Sequence, residues 1–155
     1  MTGLTLRPAR PDEAALLGDL ALHSKAHWGY DDDFLAIVAG ELTYDPASIE
    51  ARRTVVAERD GDVVGFVTLD GAPPVGEIGN LFVEPAAIGT GVGRALWDHA
   101  VDAAAALGFD TLVIESDPFA AGFYASRGAQ PDGETPSGSI PGRVLPRFRY
   151  DLTGR

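Results

Sequence analysis

Leu81-Phe82-Val83-Glu84-Pro85-Ala86-Ala87-Ile88-Gly89-Thr90-Gly91-Val92-Gly93-Arg94-Ala95-Leu96 joins a strand-like apolar run to a helical one through glycines at alternate positions. A helix that begins at once after such a loop leaves its first backbone N–H groups unpaired. It also points the positive end of its dipole into the loop, so the segment is suited to an anion. Glycine lets a phosphate approach the backbone with no Cβ in the way. Two familiar phosphate patterns do not fit. A P-loop reads G-x-x-x-x-G-K-[ST], whereas Arg94 follows Gly93 here and the spacing differs. A dinucleotide fingerprint reads G-x-G-x-x-G within a parallel βαβ unit, whereas this chain reads G-x-G-x-G in mid-sequence, behind a hairpin. A tight turn that lets the helix pack closely is the purely structural alternative.

Upstream of this segment the apolar period is that of a sheet. Thr54-Val55-Val56-Ala57-Glu58 and Val63-Val64-Gly65-Phe66-Val67-Thr68-Leu69 flank Asp60-Gly61, a hairpin signal, and a further strand runs from Glu77 to Val83. Leu4-Thr5-Leu6 forms a short strand that stops at Pro8. Asp12-Glu13 then opens a helix through Leu16, Leu17, Leu20 and Ala21, which Trp28-Gly29-Tyr30 interrupts. Asp31-Asp32-Asp33 opens a second helix through Phe34, Leu35, Ile37, Val38 and Leu42; capping and solvation explain this acidic run better than cation binding. Downstream of the glycines a helix carries Leu96, Trp97, Ala100, Val101, Ala104 and Ala105 and stops near Gly108. Thr111 to Glu115 reads as a buried strand and Phe119 to Ser126 as a short helix ended by Gly128. The Pro- and Gly-rich tail reads as irregular until a last strand, Phe148 to Leu152. The order β-α-α-β-β-β-α-β-α-β predicts one α+β domain over residues 1–155. Its sheet is mixed and mostly antiparallel, flanked by helices, with no repeat and no linker.

Composition bounds the function. A chain of 155 residues, 45% hydrophobic and 23% charged, reads as a soluble globular domain large enough for a real core. Twelve basic residues, of which only Lys25 is a lysine, face 23 acidic ones, a formal charge of −11. That balance argues against nucleic acid and against a membrane surface as partners. Cysteine is absent, which removes disulfides, thiolate metal sites and cysteine nucleophiles; with only His23, His27 and His99 as histidines, no metal is expected. No apolar run reaches the roughly 18 residues of a membrane span. Met1 to Arg7 has no signal-type apolar core, so a cytoplasmic location is the expectation. The charge does not exclude a phosphate-rich ligand, because backbone dipoles at the loop, with Arg94 and Arg127 nearby, need no global basic charge. Basic residues also gather near the C-terminus, where Arg143, Arg147, Arg149 and Arg155 outnumber Glu134 and Asp151.

Val83-x-Pro85 followed by Gly89-x-Gly91-x-Gly93 and Leu96 resembles the acetyl-CoA loop of the GNAT superfamily of N-acetyltransferases. Ile114-Glu115-Ser116-Asp117-Pro118 with Ala121-Gly122-Phe123-Tyr124-Ala125-Ser126-Arg127-Gly128-Ala129 is similar to the strand and F-Y helix that follow in that family. The likeness covers the element order from Leu4 to Leu152. It implies acetyl-CoA as acetyl donor, held by Leu81, Phe82, Val83, Ile88, Gly89, Thr90, Gly91, Val92, Gly93 and Arg94, with Asp117, Phe123 and Arg127. Two positions depart from the family pattern. Ile88 stands where relatives carry Arg or Gln, and Asp117 where many carry Asn beside the pantetheine arm.

The resemblance further implies direct attack by a primary amine of a small molecule on the thioester, in a ternary complex. Such chemistry needs a neutral amine, a stabilised oxyanion and a protonated leaving thiolate. Tyr124 is the candidate acid near the sulfur, with a core aromatic as its plain alternative. Glu77 is the candidate base, working directly or through water; a strand-edge charge, Glu115, and ordered waters remain the alternatives. A backbone N–H within residues 81–83 would meet the oxyanion. For the acceptor, His27, Trp28 and Tyr30 in the segment His23 to Tyr30, and Arg143 in the loop Ser137 to Pro146, are the candidates. A capped helix end with a packed Trp is the alternative reading of the first segment. The acidic body would steer a cationic amine. A protein or peptide amine as acceptor, a non-catalytic acyl-CoA sensor, and monomer or homodimer as the assembly all stay open.

Overall fold

Asp60 and Gly61 both take positive φ, 54° and 85°, and turn the chain back on itself as the sequence predicts. The turn joins β2 (Val55–Arg59) to β3 (Asp62–Ala72), and β4 (Val75–Val83) continues the antiparallel meander. In this computed structural model, which describes residues 3–138 and 140–153, β1 (Thr5–Pro8) pairs on the outer edge of β2. Ser139 of the proposed acceptor loop and Arg155 of the basic tail lie outside the described residues. Beyond β4 come β5 (Thr111–Glu115), β6 (Gln130–Pro136) and β7 (Val144–Asp151). The seven strands form one sheet in the order β1-β2-β3-β4-β5-β7-β6, with β4–β5 its one parallel pair.

Five α-helices flank the sheet: α1 (Ala14–His27), α2 (Asp32–Val38), α3 (Pro46–Ala51), α4 (Val92–Ala106) and α5 (Ala121–Ser126). The acidic run does cap: Asp31 accepts from Phe34 N–H at 2.8 Å. Asp45 and Ser48 cap α3 reciprocally, with Pro46 in the first turn. Residues 56 and 57, and again 66 and 67, alternate between two apolar layers. Val56 and Phe66 pack with Leu17, Leu20, Val38 and Leu42 on one side. Ala57 and Val67 pack with Leu96, Trp97, Ala100 and Ala104 of α4 on the other. None of the helices of the described residues is long and apolar enough to cross a membrane.

The tail corrects the sequence reading. The stretch expected to be irregular contains β6 and the first half of β7, paired antiparallel. Pro131, Gly133 and Pro136 hide β6, and as an almost fully exposed edge strand it has no buried face to impose an apolar alternation. Helix α3 was also missed, because six residues are too few to show a helical period.

Two irregularities position the site. β4 and β5 pair only at Val75–Thr111, Gly76–Leu112 and Glu77–Val113. Past Glu77, β4 stays with β3 while Ile114 and Glu115 stay with β7, so the sheet opens into a cleft. At the mouth of that cleft β4 carries a bulge, in which Gly79 and Asn80 together oppose Thr68. Asn80 N–H donates to Thr68 Oγ1 at 2.9 Å. A Cβ at Gly79 would collide with the Asp70 carboxylate and the Arg52 guanidinium, so glycine there leaves room for that ion pair.

Candidate functional site

A cavity of ≈ 740 Å³ fills the cleft and reaches from the glycine loop to the loop between β6 and β7. At one end, Gly89 and Gly91 have φ of 82° and 93°, and Gly91 is the left-handed N-cap of α4. The first helical bond runs from Ala95 N–H to Gly91 O at 3.0 Å. The N–H groups of Val92, Gly93 and Arg94 have no acceptor among the described residues. Space around Gly89 and Gly91 is open, with no atom within 4 Å of a Cβ built there, whereas at Gly93 a Cβ would press the Phe123 ring at 3.3 Å. Arg94 and Arg127 line this end, along with Leu81, Phe82, Val83 and the 40%-exposed Ile88. Thr90 is absorbed in the turn, donating to Ala87 O and accepting from Arg59. The Val92 side chain is fully buried in the core, which leaves its backbone N–H as the group it can offer.

Tyr124 and Glu77 line the middle. Tyr124 is packed among Trp97, Phe123 and Phe148, and burial, then the Asp117 charge, push its phenol above the usual range. It therefore stays protonated at any working pH. Burial likewise pushes the Glu77 carboxyl up, helped by the charges of Glu115 and Asp70, against the pull of Arg52 and Arg147. Glu115, the alternative base, is exposed at the end of β5 and lines the same cavity.

The other end is built around Asp117. Its Oδ2 accepts from Lys25 Nζ at 2.6 Å and from the Tyr30 hydroxyl at 2.9 Å, and its Oδ1 accepts from Phe119 N–H at 2.8 Å. Arg143 NH2 donates to the Tyr30 hydroxyl at 2.9 Å and lies 3.5 Å from Asp117 Oδ2. Burial works against ionisation of Asp117, but the Lys25 hydrogen bond and charge outweigh it and hold the carboxyl below its ordinary value. Burial, then the Asp117 hydrogen bond, push Tyr30 up to about 12. Trp28 stacks on Phe119 at 5.6 Å with ring planes 4° apart, and both rings line the cavity. His27 is exposed outside the lining and touches Trp28 edge-on at 5.0 Å.

Of the acceptor candidates, Trp28, Tyr30 and Arg143 come together at one end, Tyr30 behind the wall; Asp117, which the resemblance assigned to the cofactor, is bonded to Lys25 and Tyr30 of that same end. It missed Lys25 as a site residue, though its being the chain's single lysine was a usable signal. It also missed a second polar group beneath Glu77. Arg52 donates to both Asp70 oxygens at 2.9 Å. When the Asn80 amide is assigned so that its oxygen faces the Arg52 donors, at 2.6 and 3.0 Å, its nitrogen meets the Tyr44 hydroxyl at 3.3 Å. Nothing in the sequence announces the bulge that brings Asn80 there. Among the described residues, no group of three or more His, Cys, Asp or Glu could hold a metal ion.

Comparison with known proteins gives the same answer from two directions. Residues 20–129 match the model of the acetyltransferase (GNAT) family. A mycothiol acetyltransferase of Sanguibacter keddieii is 34% identical over 131 residues, 74% of this chain and 39% of that protein. One of Frankia alni is 37% identical over 113 residues, 61% of this chain and 32% of that protein. The chain therefore matches only about a third of the length of these relatives. Among solved structures, a related N-acetyltransferase of Rhodopseudomonas palustris superposes with a TM-score of 0.81 at 28% identity, covering 97% of each chain. A Thermoplasma acidophilum N-acetyltransferase in complex with coenzyme A shares the fold, with a TM-score of 0.76 at 15% identity over 96% of this chain and 99% of that one.

Proposed function

The chain belongs to the acetyltransferase (GNAT) family, and from that premise we propose that it moves acetyl from acetyl-CoA to the primary amine of a small molecule. One observation carries the reading: a helix start with open N–H donors, a protonated phenol and a perturbed carboxylate line a single cavity. The glycine loop fits a pyrophosphate on its own terms, since the donors of Val92, Gly93 and Arg94 are open and no side chain shields Gly89 or Gly91. Arg94 and Arg127 add charge there, while Ile88 adds apolar surface in place of a donor. Acetyl-CoA supplies an activated thioester. The loop that carries Arg143 is tied to Tyr30 and Asp117 over the acceptor end, which supports a small acceptor rather than a peptide lying in a groove.

Glu77 takes the proton of the acceptor's ammonium, directly or through a water. The freed nitrogen lone pair forms the N–C bond, and as the tetrahedral adduct collapses the C–S bond breaks and the nitrogen gives its second proton to water. Tyr124, held protonated by burial, donates a hydrogen bond to the sulfur as it gains charge. Its acidity is too low to give the proton outright to a thiolate whose conjugate acid has a pKa of about 8.5, so the sulfur takes its proton from solvent. A backbone N–H within residues 81–83, which line the cavity just past the β4 bulge, would meet the carbonyl oxygen.

Thiol release from acetyl-CoA across a panel of amines tests the proposal. Tyr124→Phe should lower turnover roughly ten- to hundred-fold while leaving CoA affinity and thermal stability in place, because the hydroxyl makes no hydrogen bond within the described residues. Unchanged turnover would remove Tyr124 from the mechanism. Thermal stabilisation by CoA with no thiol release on any amine would replace the enzyme by an acyl-CoA sensor.

A further inference from the structure

Two cations share one carboxylate at the acceptor end. Lys25 Nζ and Arg143 NH2 stand 2.6 and 3.5 Å from the same Asp117 oxygen, with side-chain exposures of 13%, 19% and 9% for Lys25, Arg143 and Asp117. Tyr30 completes the cluster as a neutral phenol. No second carboxylate of the described residues pairs with either cation. The cluster thus keeps one positive charge in excess, mostly shielded from water, where a lone charge is costly. Its donors are not spent either. Arg143 uses NH2, while its Nε and NH1 have no acceptor among the described residues, and Lys25 Nζ uses one of three donors. The guanidinium lies over the Phe34 and Tyr30 rings at 4.9 and 5.5 Å, which fixes the plane of its donor fork.

We propose that Lys25 and Arg143 form a carboxylate subsite, so that the acceptor is an amine bearing a carboxylate, an amino-acid-type substrate. The assignment rests on the acetyltransferase reading for the amine, and on the cluster itself for the carboxylate. Charge decides the class of anion. One carboxylate neutralises the excess of the cluster, whereas a doubly charged phosphate would leave it with a net negative charge. The stacked Trp28 and Phe119 rings beside the cluster give the acceptor's carbon skeleton an apolar wall. The net charge of the whole chain pointed to a simple cationic amine; the local charge asks for a zwitterion.

Matched pairs test it: L-phenylalanine against phenylethylamine, and L-methionine against its decarboxylated amine. The acid of each pair should have a kcat/KM higher by about ten- to hundred-fold, the range of one or two charge-assisted hydrogen bonds. Arg143→Gln should erase the preference by raising KM for the acid about ten-fold or more relative to KM for the plain amine, and Arg143→Lys should restore part of it. Equal or better use of the plain amines by the wild type would overturn the proposal. A binding arm needs no turnover. Trp97 is buried in the core, so intrinsic fluorescence on titration with phenylacetate reports Trp28. Saturable binding that weakens about ten-fold or more in Arg143→Gln and in Lys25→Gln supports the subsite. Binding that ignores both variants, no binding at all, or tighter competition by inorganic phosphate overturns it. Phenylacetate binding through Arg143 without thiol release from any amine would uphold the subsite and sink the acetyltransferase reading.

Discussion

Asp117→Asn preserves the shape of the side chain and removes its charge, so it measures what the acceptor-end cluster contributes to stability. The asparagine oxygen can still accept from Phe119 N–H, but its NH2 then faces Lys25 and the Tyr30 hydroxyl. The charge-assisted bond from Lys25 at 2.6 Å is lost, a loss of about 1.5–3 kcal/mol. Lys25 and Arg143 are also left without their counter-charge. For fully buried pairs that costs about 3–5 kcal/mol, an upper bound here because both cations keep some solvent. An overall loss of about 2–3 kcal/mol follows, or a Tm lower by roughly 4–12 °C for a chain of this size. Asp132→Asn is the control, because Asp132 and Arg147 pair at 3.3 Å with side chains 45% and 38% exposed. Its loss should stay below about 0.5 kcal/mol. Urea denaturation across pH adds a sign. The folded pKa of Asp117 is depressed below the ordinary 3.8, so its stabilisation is complete above that value and disappears as pH falls through the folded one. The gap between wild type and Asp117→Asn should therefore be flat near neutrality and close in acid. Equal losses for the two variants, or a gap that widens in acid, would refute the reasoning.

Two further outcomes test the rest of the cavity. Glu77 must be ionised to act as base and its pKa is raised above the ordinary 4.5, so kcat/KM should fall as pH drops through a value higher than that. Glu77→Gln should abolish this acid limb and lower the rate by about 10²–10⁴; a surviving limb would transfer the role, with Glu115 next in line. Gly91→Val meets no neighbour but must hold φ near 93°, so it should cost roughly 1–2 kcal/mol of stability and weaken CoA binding in a titration. Gly40→Ala, open and without positive φ, should do neither; unchanged CoA affinity in Gly91→Val would refute the anion-site reading.

The readable parts of the chain are those whose signal is local. The Asp60-Gly61 turn, the period of α4 and the glycines ahead of it each carry their own physical reason within a few residues. Most of the cofactor end of the cavity, apart from Phe123 and Arg127, is the one continuous stretch 81–94, and for that reason it was legible. The acceptor end is not. Lys25 with Tyr30, Asp117 and Arg143 come from three places in the chain, and only the fold makes one charged cluster of them. Asn80 is still less visible, because a bulge exists only as a relation between two strands. Strand β6 sits at an edge, where exposure removes the pattern that betrays strands in the interior.

The three-residue parallel seam between β4 and β5 also bears on how the molecule comes together. The β2-β3-β4 meander closes short loops and can form early at little entropic cost. Strand β5 reaches its place only after the chain has left Val83, laid down α4 and returned at Thr111, a long closure rewarded by few ladder bonds. The C-terminal strands hang on that step, since β7 docks on β5 and β6 on β7. The cleft lies on this late joint, so the candidate site is completed last, and slow or faulty closure there would yield a molecule with most of its sheet and an unfinished cavity.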